Sequence, residues 1–415
     1  MSLKEFRRAG HAPTLASAFL YFDVSFMVWV ILGPLGPFLG ESLKLTASQK
    51  GFLTAVPLLG GSIFRLLLGW MTERIGARRT GLIGLTLTAV PLCAAWLWAG
   101  TFEQFLAVGL LLGIAGASFA AALPLASAWY PPEYQGLAMG IAGAGNSGTL
   151  LATLFAPRLA QAFGWHSVFG IALIPVCLVL LFFAVMAKDA PVPRRTKRWS
   201  EYAALLGQGD TAWFCFVYSI TFGGFVGLSS YLSIFFHDQY GLTKVQAGDL
   251  TTLVVVFGSF LRPVGGLLSD RIGGMRMLQV LLAGVALCVG GLGALPPAPI
   301  AVAMLVLTMA MLGMGNGAVF QLVPQRFAGQ VGMITGIVGA AGGLGGFLLP
   351  SLLGTMKQST GSFGTGFAVL GTVAACGLVS LLALRSNWRR TWPRESVLRA
   401  GLASNESAAV AVGES

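Results

Sequence analysis

Charge is what this chain has least of. Only 10% of its 415 residues are Asp, Glu, Lys or Arg, against about 25% in an ordinary soluble domain. Hydrophobic residues make up 55%, and mean hydropathy is +0.79. That balance excludes a soluble globular protein and points to a polytopic membrane protein. Acid is scarcer than base, 15 residues against 26, for a net charge of +11. In so apolar a chain the basic excess belongs to loops that set topology, so no nucleic acid is expected. Cysteine and histidine are also few. Cys93, Cys177, Cys215, Cys288 and Cys376 lie singly in apolar runs without metal-ligand spacing. They read as small buried hydrophobes rather than disulfides or metal ligands. His11, His166 and His237 fall near loops and form no cluster. No metal and no cofactor is expected. No nucleophile–base pairing or phosphate-cradling loop argues for an enzyme, and no sizeable extramembrane domain argues for a receptor.

Long apolar runs are present instead. About twelve of membrane-spanning length can be drawn: 14–39, 48–70, 81–99, 104–129, 136–157, 166–187, 211–236, 246–269, 276–295, 299–323, 332–356 and 363–385. The expected organisation is a cytoplasmic N-terminus (1–13), a six-helix bundle (14–187), a cytoplasmic linker (188–210), a second bundle (211–386) and a disordered cytoplasmic tail (387–415). The linker reading rests on Pro191, Pro193, Arg194, Arg195, Lys197 and Arg198. The first run is too long for a signal-peptide core and reads as a retained span. Nineteen Lys and Arg fall on one set of alternate loops and termini and five on the other, which places both termini in the cytoplasm. A monomer in a bacterial inner membrane is expected.

Two cations break the apolar pattern. Arg65 interrupts Gly60-Gly61-Ser62-Ile63-Phe64-Arg65-Leu66-Leu67, and Arg262 interrupts Gly258-Ser259-Phe260-Leu261-Arg262. Each is followed eight residues later by a charged turn, Glu73-Arg74-Ile75-Gly76 and Asp270-Arg271-Ile272-Gly273. Eight helical residues span about 12 Å, which sets each arginine near the middle of a ~30 Å hydrocarbon core. A midplane arginine costs about 2.5–3.5 kcal/mol or more and stays protonated. It needs a buried carboxylate, backbone carbonyls or a wet site that receives an anion. Buried carboxylates are scarce here, which favours the anion.

The duplicated Gly69-x-x-x-Glu73-Arg74-x-Gly76 and Gly266-x-x-x-Asp270-Arg271-x-Gly273 resemble the cytoplasmic loop motif of the major facilitator superfamily. The resemblance covers the chain up to its tail. It implies an all-α fold of twelve transmembrane helices in two six-helix pseudo-repeats, with substrate bound at the midplane between them. Two glycine-rich spans narrow it further. One holds Gly143, Gly145, Asn146 and Gly148, and the other Gly339, Gly342, Gly343, Gly345 and Gly346. Together with the arginines they resemble the paired signature of the nitrate/nitrite porter family, from which Ser147 and Thr149 are departures. Such glycines permit close backbone approach, whether for static packing or for helices lining a moving cavity.

By that resemblance, Arg65 and Arg262 bind a small flat anion, and Phe119, Tyr218 and Phe222 are the aromatic residues that hold it between rings. Planar guanidinium forks suit nitrate and nitrite oxygens. Asn146 can donate to the anion or simply bond backbone. Asp23, in Phe22-Asp23-Val24-Ser25-Phe26, is the one clear deep carboxylate. It either couples a proton or pairs with an arginine in the empty protein. Its run resembles the branch associated with proton-coupled nitrate uptake. The expectation is nitrate:proton symport with the lipid bilayer as surroundings. Exchange of nitrate for nitrite and carriage of another small organic or phosphate anion are the alternatives.

Overall fold

The computed structural model describes residues 3–191, 199–327 and 330–402. Among the described residues the secondary structure is helical throughout, and eleven helices are long and apolar enough to cross a membrane. In order they are Ala12–Ser42, Ala47–Ile75, Ala77–Leu97, Phe102–Ser127, Trp165–Met186, Gly209–Tyr240, Lys244–Ile272, Gly274–Leu292, Ala298–Arg326, Gly332–Thr360 and Gly364–Thr391. The twelfth expected crossing is the fifth in order. It is broken into Pro132–Gly143, a 3₁₀ turn Ala144–Ser147, and Gly148–Phe163. The break falls on the glycine-rich signature, where glycine's backbone freedom permits a 3₁₀ turn within the span. The architecture is the twelve-helix one expected.

The second and eighth spans carry the internal repeat. Thr46 and Thr243 open them with the same capping box, each threonine bonded to a glutamine three residues on. Both helices run 29 residues and close on a glycine, Gly76 at φ 94° and Gly273 at φ 89°. That backbone conformation is open to glycine and strained for other residues. The turn therefore needs the final glycine of each loop motif.

Hydrogen bonds brace the loop-motif end within each half. Arg78 donates from Nε to the Ala187 carbonyl and from Nη2 to the Ala184 carbonyl, both at 2.7 Å, and its backbone N–H bonds Asp189. Asp210 pairs with Arg326 and accepts from Trp388 Nε1 at 2.8 Å.

Two expectations need correction. The tail was expected to be disordered from residue 387, yet the last span runs to Thr391 and Arg394–Arg399 forms a further helix. Buried aromatics hold this stretch. Trp388 stacks on Phe214 and on Trp392 with ring centroids 5.6 and 4.7 Å apart. The Met275 N–H then donates to the Ala400 carbonyl at 3.0 Å. Residues 403–415, and the linker residues Pro193, Arg194, Arg195, Lys197 and Arg198, lie outside the described residues. The cysteines, read as buried, are not: Cys177 and Cys376 are exposed on apolar helix faces and the other three half-buried. A face turned to lipid accepts a small apolar thiol as readily as a core does.

Candidate anion site

Arg65 lies on a face that Gly60 and Gly61 allow the first and fourth spans to approach. A Cβ on Gly61 would meet the Trp29 ring at 2.6 Å, and one on Gly113 would collide with Gly60. Trp29 fixes its own position by donating to the Pro57 carbonyl at 2.7 Å. The guanidinium is 3% exposed as a residue and donates from Nη2 to the Gly116 carbonyl at 2.9 Å. From Nη1 it crosses to the other half and donates to the Gly339 carbonyl at 2.5 Å. Its Nε has no partner. Backbone carbonyls, one of the weighed alternatives, thus take two of the five N–H donors and leave the Nε donor without a partner.

Aromatic rings enclose this cation. The Arg65 guanidinium carbon lies 5.4 Å from the Phe119 ring centroid, 5.7 Å from Phe222 and 5.9 Å from Trp29. Arg262 approaches the same Phe119 ring at 6.0 Å and Phe320 at 5.8 Å. Phe119 is therefore shared by the two cations. Tyr218 and Phe222, one helical turn apart, stack at 5.1 Å with planes 3° from parallel. The Tyr218 hydroxyl lies within interaction range of both guanidiniums. The cations stay charged beside rings whose faces carry partial negative charge.

The expected residues thus converge, with two exceptions in detail. Asn146 lines the Arg262 cavity, on the opposite wall from Arg262's own helix. Asp23 does not join the arginines. Among the described residues it makes no ion pair and instead accepts a hydrogen bond from Ser147 Oγ at 2.7 Å. Gly145 and Gly148 let the broken fifth span press onto the Asp23 backbone. The serine that departs from the signature is thus the carboxylate's partner. The second signature packs closer to the site. A Cβ on Gly339 would meet Arg65 Nη1 at 3.1 Å, and one on Gly342 the Tyr218 ring at 2.6 Å. Gly343, Gly345 and Gly346 press on Ser62, Ser219 and Val226. Trp29 and Phe320 escaped the sequence reading, because a lone aromatic in an apolar span carries no signal of its own.

Two cavities of about 410 and 460 Å³ flank Phe119, one holding Arg262 and the other Arg65. Both run toward the loop-motif end, the first reaching Gly266 and Asp270 and the second Gly69 and Glu73. There Arg74 lies over the Trp70 ring at 4.5 Å, and Arg271 is exposed. The opposite end is sealed. Lys50 pairs with Asp238 at 2.7 Å, Arg158 with Asp249 at 2.6 Å, and Lys244 with Glu41. Each pair joins one half to the other. Ser48 N–H also donates to Gln358 Oε1 at 2.9 Å, and Gly51 and Gly354 bring the second and eleventh spans into backbone contact. The site is open at one end and closed at the other, the geometry of one state of an alternating-access cycle.

Comparison with known proteins identifies the family. The family model described as Major Facilitator Superfamily matches residues 17–350. A "Nitrite extrusion protein" of Bacillus subtilis (strain 168) is 35% identical over 364 residues, 86% of this chain and 90% of its own. A "Probable nitrate/nitrite transporter NarK2" of Mycobacterium tuberculosis is 35% identical over 352 residues, 83% of this chain and 89% of its own. Among solved structures a D-xylose-proton symporter superposes with TM-score 0.72 at 18% identity, covering 92% of this chain and 98% of that one. At that identity it speaks for the fold alone. Motifs, fold and relatives agree: the chain belongs to the major facilitator superfamily, in its nitrate/nitrite transporter family, and is a multi-pass membrane transporter rather than an enzyme.

Proposed function

We propose that this protein carries nitrate, and nitrite beside it, across a bacterial inner membrane as a monomeric nitrate:proton symporter. The observation that carries the reading is the pair of permanently charged guanidiniums facing one phenylalanine ring, Phe119, at the head of the open cavities. A flat monoanion between Arg65 and Arg262, walled by Phe119, Tyr218 and Phe222, receives bidentate donors and loses little hydration it does not recover. The apolar lining suits a small delocalised anion better than a phosphate ester or organic acid, whose further oxygens require more donors. The Lys and Arg bias puts both termini and the loop motifs in the cytoplasm. In that orientation the open cavities face inward.

Energy coupling follows from charge. Moving one anion inward against an inside-negative potential costs about 2.3 kcal/mol per 100 mV. A proton carried with it removes that cost. In this reading Asp23, deep in the first span and bonded to Ser147 rather than to an arginine, takes that proton. Exchange for outgoing nitrite is the second reading. It is supported by a Thermus thermophilus relative named "Probable nitrate/nitrite antiporter NarK1", 32% identical over 395 residues.

The experiment is uptake into proteoliposomes with an imposed pH gradient, comparing wild type with Asp23→Asn. Expected are nitrate accumulation by the wild type and its loss in the variant, with nitrate-for-nitrite exchange retained. Undiminished gradient-driven accumulation in Asp23→Asn would remove the carboxylate from the coupling step. Accumulation that requires internal nitrite, whatever the gradient, would favour exchange. Competition by chloride, formate and phosphate separates nitrate from other cargo.

A further inference from the structure

Two polar side chains beside Arg262 are buried without partners. Ser259 lies one turn before Arg262 on the eighth span and is 4% exposed, and its Oγ makes no hydrogen bond. Asn316, on the facing tenth span, is 1% exposed, and its Oδ1 makes none. Both line the cavity that holds Arg262. The two helices are in backbone contact here: a Cβ on Gly313 would collide with Gly258, and one on Gly317 with the Arg262 carbonyl. Asn316 and Arg262 are therefore held side by side.

A buried polar group left unsatisfied costs about 1–3 kcal/mol. Helices in lipid satisfy such groups with one another or with a ligand. Serine in a helix ordinarily bonds the carbonyl four residues back. Ser62 does so toward Leu58 at 3.1 Å, as do Ser219 and Ser229. Ser259 does not. An unpaired hydroxyl and an unpaired carboxamide oxygen stand on the wall of the cavity that holds a midplane cation; with the amide turned over, its NH₂ and the hydroxyl are two donors facing that cavity.

We propose that Asn316 and Ser259 donate to the third oxygen of bound nitrate and so set the preference of this transporter for nitrate over nitrite. This rests on the transport reading above. A guanidinium fork takes two oxygens of a planar anion. With the fork supplied by Arg65, nitrate presents its third oxygen on the opposite side, toward the cavity that Arg262, Ser259 and Asn316 line. Nitrite in the same pose presents only its nitrogen lone pair, which falls short by one N–O bond and accepts more weakly. The amide nitrogen and oxygen are interchangeable by rotation about the side chain's last bond, so the NH₂ group can be turned toward the anion. A site built to bond a substrate atom discriminates against the analogue that lacks it, because its own polar groups are then left unpaired.

The test measures nitrate and nitrite uptake side by side in proteoliposomes for wild type, Asn316→Leu and Ser259→Ala. Leucine keeps the forked end of asparagine, is somewhat larger, and removes its polar atoms. Expected in Asn316→Leu is a fall in nitrate kcat/KM of about tenfold with a fall in nitrite kcat/KM of less than about threefold, the size of one lost charge-assisted hydrogen bond. Ser259→Ala shifts the ratio in the same direction by a smaller factor. Nitrite uptake serves as the internal measure of folding. Equal losses for both anions in Ser259→Ala, or an unchanged ratio in both variants, overturn the proposal while leaving the transport reading intact. A wild-type protein that moves neither anion overturns both.

Discussion

Arg65 Nη1 donates to the carbonyl oxygen of Gly339 at 2.5 Å, across the boundary between the two six-helix halves. One side chain thus belongs to the anion site and to the contact between moving bodies at once. Its other terminal nitrogen stays within its own half, on Gly116. A bound anion would meet the donors that these two carbonyls leave over on the same rigid guanidinium. Site occupancy and the fit of the halves are coupled through this guanidinium.

Arg65→Lys should therefore fail although it keeps the charge. An ammonium offers no planar fork and cannot reach two carbonyls on different spans while also facing an anion. The expected loss is about 10- to 100-fold in nitrate kcat/KM, the worth of one or two charge-assisted hydrogen bonds. Initial rates in proteoliposomes check it. Full activity would deny any need for the fork.

Much of this site was legible in sequence because cations in lipid have few reasons to exist. Arg65 and Arg262 announced themselves by position, and the repeat of motif and spacing announced the two halves. Phe119, Tyr218 and Phe222 were legible only through resemblance. The partners that complete the site were not legible. Gly116 and Gly339 act through carbonyl oxygens, which every residue has. Trp29 acts through a ring that any apolar span tolerates. Asp23 stood out as a deep carboxylate, but its partner Ser147 looked like a mere departure from a glycine pattern. The ordered tail was misread because its charges masked Trp388 and Trp392, which anchor it.

The closing glycines of the two loop motifs make a prediction about stability. Gly76 and Gly273 hold φ of 94° and 89°. Alanine at either position should destabilise the protein by about 1–2 kcal/mol. At Gly273 a collision adds to the strain, because a Cβ there would strike Gly401. Gly290→Ala is the contrast: no atom lies within 4 Å of a Cβ built there, and alanine favours helix over glycine by about 1 kcal/mol. Thermal unfolding of the detergent-purified proteins should place Gly76→Ala and Gly273→Ala below wild type and Gly290→Ala at or above it.

Gly342 makes a prediction about the aromatic wall. A Cβ there would stand 2.6 Å from the Tyr218 ring and 2.9 Å from Phe222. Both rings must shift to admit a methyl, and the stacked pair moves with respect to the guanidiniums. Overpacking of this kind costs about 1–3 kcal/mol. Gly342→Ala should raise the nitrate KM about tenfold or more while the protein remains monodisperse in detergent. Wild-type affinity in this variant would show that the ring positions do not matter to the anion.

The sealed end must open if the site is to be reached from the other side. Ser48 Oγ and Thr355 Oγ1, in different halves, lie 3.4 Å apart there. Replaced together by cysteine, they sit close enough for a disulfide to form with little backbone movement. Ser48→Cys/Thr355→Cys should transport nitrate when reduced. It should lose nearly all uptake when oxidised and recover on adding a thiol. Each single variant, tested with the same oxidant, controls for the five native cysteines. A disulfide between ends that never separate would leave uptake unchanged, so complete cross-linking with undiminished transport would refute the rocking of halves about Arg65 and Arg262. Loss and recovery together would show that the contacts among Lys50, Asp238, Arg158, Asp249, Lys244 and Glu41 break and re-form in every cycle, since they share that end with the disulfide.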